Sequence, residues 1–190
     1  MKTQNDFGIT GIITATINDQ STLTAEQKAF NENLKKQYDN GIISREDYRK
    51  SLFYGKEKQK ITIKNKISKV AGFSIVAKFL VGQGSAYTGG INKALFGDGS
   101  GTTSENDTQL FNEIFRNDEA SRSAIGNQVL LTAFIDTTEF SGDITEFGNC
   151  INGTATADTG ELWSHIAGFL WTKDNSSTLT VSQLYTINNI

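Results

Sequence analysis

The sequence contains no proline, and it has one cysteine, one histidine and one methionine in 190 residues. Without proline no turn is pre-set by a locked φ, so chain reversals must come from glycine, asparagine, aspartate, serine and threonine. Glycine alone supplies 18 residues for that purpose. The lone thiol, Cys150, has no internal partner, which excludes a disulfide framework. No apolar run reaches the roughly 18 residues of a membrane span, and no lysine-led apolar N-terminal segment marks a secretory signal. What remains, 37% hydrophobic and 21% charged residues, fits one soluble globular domain with a real core.

The net charge of -3 conceals an uneven layout. Residues 20–69 hold 12 Lys/Arg against 6 Asp/Glu, whereas residues 70–190 hold 5 against 13. A basic half invites comparison with nucleic-acid binders, but aromatic interleaving and any DNA-binding motif are missing. No membrane and no specific nucleic acid are therefore expected as partners.

Along the chain the apolar periodicity reads as mainly β with helices (α+β), an antiparallel β-sandwich carrying a helical-hairpin insertion. Residues 1–190 form one domain in this reading, with 20–59 as the insertion. "ITGIITATI" (9–17) alternates, placing Ile9, Ile13, Ala15 and Ile17 on one face. The stretch 24–55 has helical composition, with Thr24 and Gln27 spaced as a capping box, Ser44 as a second N-cap, "DNG" at 39–41 as the break and Gly55 as the stop. Strand alternation resumes in "KITIKNKI", so the hairpin sits between two strands. A further helix is predicted over 68–80, capped by Ser68, with Val70, Phe73, Ala77 and Leu80 on its buried face. "INKALF" is a short strand. "NQVLLTAFI" (127–135) and "ELWSHIAGFLW" (161–171) are apolar on both faces and read as central strands. In "TLTVSQLYTI" Leu179, Val181, Tyr185 and Ile187 share a face, and "TKDNSS" before it suits a hairpin turn.

The most conspicuous motif is "FGDGSGTTSENDTQLFNEIFR" (96–116). As a phosphate loop it fails, because no lysine follows the glycines at 97, 99 and 101 and no basic residue comes before Arg116. As an EF-hand it fails as well, since positions 1, 3, 5 and 12 from Asp98 hold aspartate, serine, threonine and glutamine. It reads as a flexible turn leading into a short helix, "DTQLFNEIFR", with Leu110, Phe111, Ile114 and Phe115 on one face.

Two resemblances follow from these residues. The hairpin pattern Leu34, Tyr38, Gly41, Ile43, Tyr48 and Leu52 resembles the short helical hairpins called SHOCT modules, which are associated with oligomerisation. The ordered set "KNKIS…GFSIVAKFL", "LFGDGSG", "DTQLFNEIFR", "SGDITEFG" and "LWSHIAGFLWTKDNSSTLTVSQLYTI" resembles a family of small tailed-phage virion proteins. It covers roughly residues 60–190 and also fits the first strand. The hairpin at 24–55 and the Phe147 in "EFG" depart from that pattern, which leaves the position in the particle open. The resemblance implies a structural subunit of the tail, neck or capsid surface, located in the virion, whose partners are copies of itself and other virion proteins.

Chemistry has few candidates. His165 lies mid-strand among apolar neighbours and reads as structural, and no orienting group marks a pair with Cys150. Asp136, Glu139, Asp143 and Glu146 cluster in sequence and raise the possibility of a calcium site, with solvated loop charges as the other reading. The expectation is a non-enzyme without cofactor or resident metal. Partner docking is assigned to the hairpin, at Lys35, Lys36, Tyr38, Tyr48, Arg49, Lys50 and Phe53. The alternative is a β-sandwich binding a host-surface glycan, with Trp163, Trp171 and Tyr87 as exposed stacking platforms.

Overall fold

The computed structural model describes residues 7–68, 72–87 and 89–189. Nine strands and three α-helices follow in the order β1 (Phe7–Asp19), α1 (Ala25–Asp39), α2 (Arg45–Ser51), β2 (Lys56–Ile67), α3 (Ser74–Leu80), β3 (Ile91–Gly97), β4 (Glu113–Asp118), β5 (Ser121–Ile125), β6 (Gln128–Ile135), β7 (Gly142–Ile151), β8 (Glu161–Lys173) and β9 (Ser177–Asn189). All pairings are antiparallel. One layer runs β5-β6-β9-β1-β2 and the other β8-β7-β3-β4, and the two pack together as a sandwich. They join at a corner where β2 meets β8 through only two residue pairs, Lys66 with His165 and Ile67 with Ser164.

Alternation along β1 has the expected consequence. Ile9, Ile13, Ala15 and Ile17 are buried, while the threonines between them face outward. The main core sits between the layers, where Ile13, Ile17, Ala133, Ile135, Leu179 and Val181 of one meet Phe96, Ile144, Phe147, Ile166 and Trp171 of the other. A second cluster, with Ile9, Ile67, Leu131 and Tyr185, fills the far end against Ile75 of α3.

Between these clusters runs a buried polar band. Tyr185 Oη donates to Asn149 Oδ1 at 2.7 Å, Ser164 Oγ donates to the same oxygen at 3.0 Å, and Asn149 Nδ2 donates to Glu119 Oε1 at 2.6 Å. Gln183 Nε2 reaches Glu119 as well, at 3.2 Å. Gly11 is required here, because a Cβ at that position would lie 2.9 Å from the Tyr185 ring. Tyr185, Asn149, Ser164, Glu119 and Gln183 are thus joined in one hydrogen-bonded network, as buried polar groups require.

Several sequence expectations need correction. "DTQLFNEIFR" is not a helix. Its second half is the edge strand β4, pairing with β3 so that Phe115 packs on Phe96 and Phe140, while Phe111 and Ile114 are exposed. "TKDNSS" is not a hairpin turn, since β8 and β9 lie in different layers and the segment crosses between them. In the predicted helix 68–80 the α-helix begins at Ser74, Ser68 instead donates to the carbonyl of Asp107, and Val70 lies outside the described residues. Its buried residue is Ile75, whereas Ala77 and Leu80 are exposed. The run "FSIVAKFLV" is apolar nearly all round, so periodicity alone offers more than one face. Gly55 is not the helix stop, because α2 ends at Ser51. It opens β2 instead, where any Cβ would overlap the carbonyl oxygen of Asp19.

Burial pushes the Glu119 carboxyl up from 4.5 to about 8, against the weaker opposing pull of its hydrogen bonds from Gln183 and Asn149 and of the Arg122 charge. The folded state therefore holds an extra proton between those two values. Its contribution to stability is complete below about pH 4.5, declines by up to about 1.4 kcal/mol per pH unit, and is gone above about pH 8. We expect Glu119→Gln to flatten this decline, measured as urea midpoints from about pH 5 to about pH 8.5. An unchanged slope in the variant would place the titrating group elsewhere.

Candidate docking site

The hairpin forms because its ends are well capped. Thr24 and Gln27 make the reciprocal capping box at the start of α1, and the Ser44 side chain accepts from Asp47 N at the start of α2. Its apolar face, Leu34, Tyr38, Ile43, Tyr48, Leu52 and Tyr54, closes over Phe134 on the outer side of the β6 layer. Tyr48 stacks on Tyr38 at 5.1 Å and meets Phe134 edge-on at 6.0 Å. Its hydroxyl donates to Asp136 Oδ2 at 3.0 Å, and burial with that neighbouring carboxylate pushes the phenol above its ordinary range. Arg45 locks the other side, donating to both oxygens of Glu139 at 2.7 and 2.9 Å and to the carbonyl of Phe134.

This packing divides the seven residues assigned to docking. Tyr48 is buried and belongs to the core, a correction forced by its place between Phe134 and Asp136. Tyr38 and Arg49 are half-buried, Tyr38 under the Arg45 guanidinium and Arg49 with its carbonyl accepting from the Tyr54 hydroxyl at 2.7 Å. Lys36, Lys50 and Phe53 are exposed. Lys35 and Lys50 are already paired along the helices, with Asp39 and Glu46. The hairpin, residues 25–51, holds 6 Lys/Arg against 5 Asp/Glu and is close to neutral, whereas residues 56–67 hold 5 lysines against one glutamate. The basic charge is thus a property of β2. Among the described residues β2 makes no ladder pairs with β8 beyond the corner, where contact continues only through Gln59 to the Leu170 carbonyl and Lys58 to Asp174, and lysine on such an edge discourages stray strand pairing.

Between α1 and the strand ends lies a cleft of about 430 Å³. Leu23, Leu52 and the Tyr48 ring line it on the apolar side, and Lys28, Lys35 and Lys36 line it from α1. Thr137, Thr138 and Thr178 complete the far wall. Lys35, Lys36 and Tyr48 came from the sequence reading. Of the others, Lys28 lies on α1, Thr178 on β9, and Leu23, Leu52, Thr137 and Thr138 on three separate loops, and no local signal joins them.

On the opposite outer face a strap, residues 98–112, crosses the β7 layer and packs its Leu110 on Leu95, Cys150 and Leu162. Glu146 holds it down. The carboxylate is fully buried, accepts from Gly99 N at 3.0 Å, Asn112 N at 2.7 Å and Phe111 N at 2.8 Å, and lies 2.9 Å from His165 Nε2. The second ring nitrogen of His165 faces Asp107 Oδ2 at 2.8 Å. A Cβ at Gly97 or Gly99 would come within 2.3 or 2.5 Å of Glu146 Oε1, so these glycines let the backbone approach a carboxylate. Nearby, Arg116 makes a two-point ion pair with Glu113 and donates to the carbonyls of Thr154 and Thr159.

The other candidates separate under this geometry. Asp136 and Glu139 bind hairpin side chains, Asp143 accepts from Thr172 at the surface, and Glu146 lies under the strap, so the four acids do not converge on an ion. Among the described residues no group of three or more His, Cys, Asp or Glu is placed to hold a metal. Burial pushes the Cys150 thiol up to about 11 and its Sγ lies 3.5 Å from the Thr159 carbonyl, while both His165 nitrogens are occupied by carboxylates, so no thiol–imidazole pair forms. Trp163, Trp171 and Tyr87 are all buried, which removes the stacking platforms of the glycan alternative. Among the described residues no helix is long and apolar enough to cross a membrane.

A comparison with protein-family profiles, curated proteins and solved structures found no match to the chain.

Removing the Glu146 carboxylate leaves three backbone donors and the His165–Asp107 pair without their buried acceptor. We expect Glu146→Ala to cost about 3–5 kcal/mol in urea unfolding. Asp143→Asn, on the surface, should stay within about 0.5 kcal/mol. Equal effects of the two would refute the strap's dependence on Glu146.

Proposed function

We propose that this chain is a non-enzymatic structural subunit of a tailed-phage particle, of tail, neck or capsid-surface type, working by self-association and by docking onto other virion proteins. The observation that carries the reading is how the motif residues of the resemblance are used. Gly97, Gly99, Asp107, Leu110, Glu113, Arg116 and Glu146 all bind or pack against their own chain, and Glu113 and Arg116, which line a small crevice beside Cys150, are committed to pairing with each other. Such residues specify a rigid body instead of a reaction. The chemistry agrees with this: the single histidine is held between two carboxylates and the single thiol is buried with a raised pKa.

Apolar residues left on the surface supply the means of contact. Phe30 and Phe53 form an exposed edge-to-face pair at 5.2 Å on the hairpin, and Phe79, Leu80 and Val81 are exposed at the end of α3. Exposed charge pairs contribute only about 0–1 kcal/mol each, so side chains of this kind must carry the affinity. Charge acts on the encounter. Antibody labelling of purified particles tests the location, and a sample that turns over glycan or peptide would overturn the non-enzymatic reading.

The layout of charge makes a kinetic prediction. The lysines of β2 steer association, so raising salt from about 0.05 to about 0.5 M should slow assembly more than it weakens the finished complex. Reversing Lys56, Lys60 and Lys64 to glutamate should slow it by about tenfold at low salt. Reversing Lys35 and Lys50, which are neutralised by Asp39 and Glu46, should do less. Light scattering after dilution reads all of these rates, and rates indifferent to both salt and charge reversal would discard the steering.

A further inference from the structure

The strap meets the sheet at His165 through two protons. The histidine is 2% exposed, with Nδ1 2.8 Å from Asp107 Oδ2 on the strap and Nε2 2.9 Å from Glu146 Oε2 on β7. Each contact is short enough to need a proton between its two atoms. A neutral imidazole carries only one N–H, so the pair of contacts needs a second proton. Both facing oxygens already act as acceptors, since Asp107 Oδ2 takes Ser104 N at 2.8 Å and Glu146 Oε2 takes Phe111 N at 2.8 Å. The second proton therefore belongs on the ring, which fits as an imidazolium between two carboxylates.

Other charged groups approach this face from each neighbouring element. Lys66 of β2 stands opposite His165 in the corner ladder. On the strap Asp98 accepts from Asn112 Nδ2 at 2.5 Å, and Glu105 is exposed. Glu113 of β4 is committed to Arg116, and Glu161 is exposed at the start of β8 itself. The ring is roofed by Phe111, edge-on at 4.8 Å.

Two kinds of attachment hold the strap. Its ends are fixed to Glu146 by Gly99 N, Phe111 N and Asn112 N, backbone donors that keep their protons at any ordinary pH. Its middle is fixed at Asp107, whose carboxylate meets His165 and whose carbonyl accepts from Ser68 Oγ at 3.1 Å. When the ring gives up one proton, the remaining N–H stays with the fully buried Glu146, and Nδ1 is left facing Asp107 Oδ2 lone pair to lone pair. We propose that His165 is a pH latch on the strap: residues 104–108 are docked while the ring carries both protons, and they lift when the second is lost, with both strap ends still held. Docking is complete on the acid side of that loss and weakens as pH rises through it, because the docked state binds the extra proton. Thr108 and Gln109 line a crevice with Leu95, Cys150 and Leu162, so lifting opens an apolar floor and the thiol to solvent. The latch does not depend on the self-association reading.

The test uses the full chain, in which His165 and Cys150 are the only residues of their kinds. With nitrogen-15-labelled histidine, the ring resonances are followed from about pH 5, above the ordinary carboxylate range, to about pH 9. Hydrogen-exchange protection of the Ser104 and Asp107 amides is measured over the same range, corrected for intrinsic rates and compared with the amides of β1. Loss of the ring proton and loss of protection should share one midpoint, with protection falling by about tenfold. Asp107→Asn is the decisive variant, because an amide can accept from a ring N–H or donate to a bare ring nitrogen. In that variant protection should stay level as the ring loses its proton, and at one alkaline pH alkylation of Cys150 should be slower than in the natural chain. A ring with a bare nitrogen at every pH, or one that holds both protons throughout, overturns the latch. So does a ring that loses its proton while strap protection is unchanged, or an equal loss of protection in Asp107→Asn.

Discussion

The antiparallel ladder between the first and last strands is the constraint on which the rest of the fold depends. Every residue of β1, from Phe7 to Asp19, has a partner in β9, and β1 pairs with β2 along its other edge from Gly11 to Asp19. Once these three strands are in register, Ile13, Ile17, Leu179 and Val181 must face the same way, and the second layer has an apolar surface to cover. A slip of one residue would send all of them to the outside. Gly11 adds a specific check on the register, because only a residue without a Cβ leaves room for the Tyr185 ring beside it.

Both outer faces of the sandwich are then partly covered by connections, in different ways. The helical hairpin covers Phe134 with aromatic rings and fixes them through Arg45 to Glu139 and Tyr48 to Asp136. The strap covers the other layer with one leucine, Leu110, and depends on hydrogen bonds to one buried carboxylate, Glu146. The first is chiefly apolar area, tolerant of small shifts. The second is a set of directional bonds at 2.7–3.0 Å, which specify position closely and lose much if a single acceptor is removed. Polar residues that look available for chemistry in the sequence are thereby committed to holding the chain in place.

This commitment shapes the functional reading. His165, Cys150 and the motif acids Asp107, Glu113 and Glu146 are turned to their own chain, which leaves the surface with its lysine-studded β2 and a few exposed apolar projections. Lysines on β2 have a structural role as well, since they protect an edge that, among the described residues, lacks ladder pairs with β8 over most of its length. The two roles are compatible. A charged edge that resists strand pairing still contributes to the long-range field around the chain.

What the sequence determined by itself is everything carried by local pattern. The two-residue alternation of β1 and β2, the capping box at Thr24 and Gln27, the N-cap at Ser44 and the placement of the hairpin between two strands all stand in the structure, because each depends on residues within a turn or a strand of one another. Tertiary structure decided whatever depends on distant partners. Residues 107–116 carry a spacing compatible with helix, but β3 and the Glu146 carboxylate were available, so the segment became a strap and an edge strand. The run after Lys173 has hairpin composition, yet its flanking strands found better partners in opposite layers. Charge counted along the chain gave a basic excess to residues 20–69 as a whole, and pairing in space neutralised Lys35, Arg45 and Lys50 and left it on β2. The cleft under α1 was illegible for the same reason: its walls are loops and helices far apart in sequence, brought together only when the ladder of β1 and β9 sets where the hairpin enters and leaves.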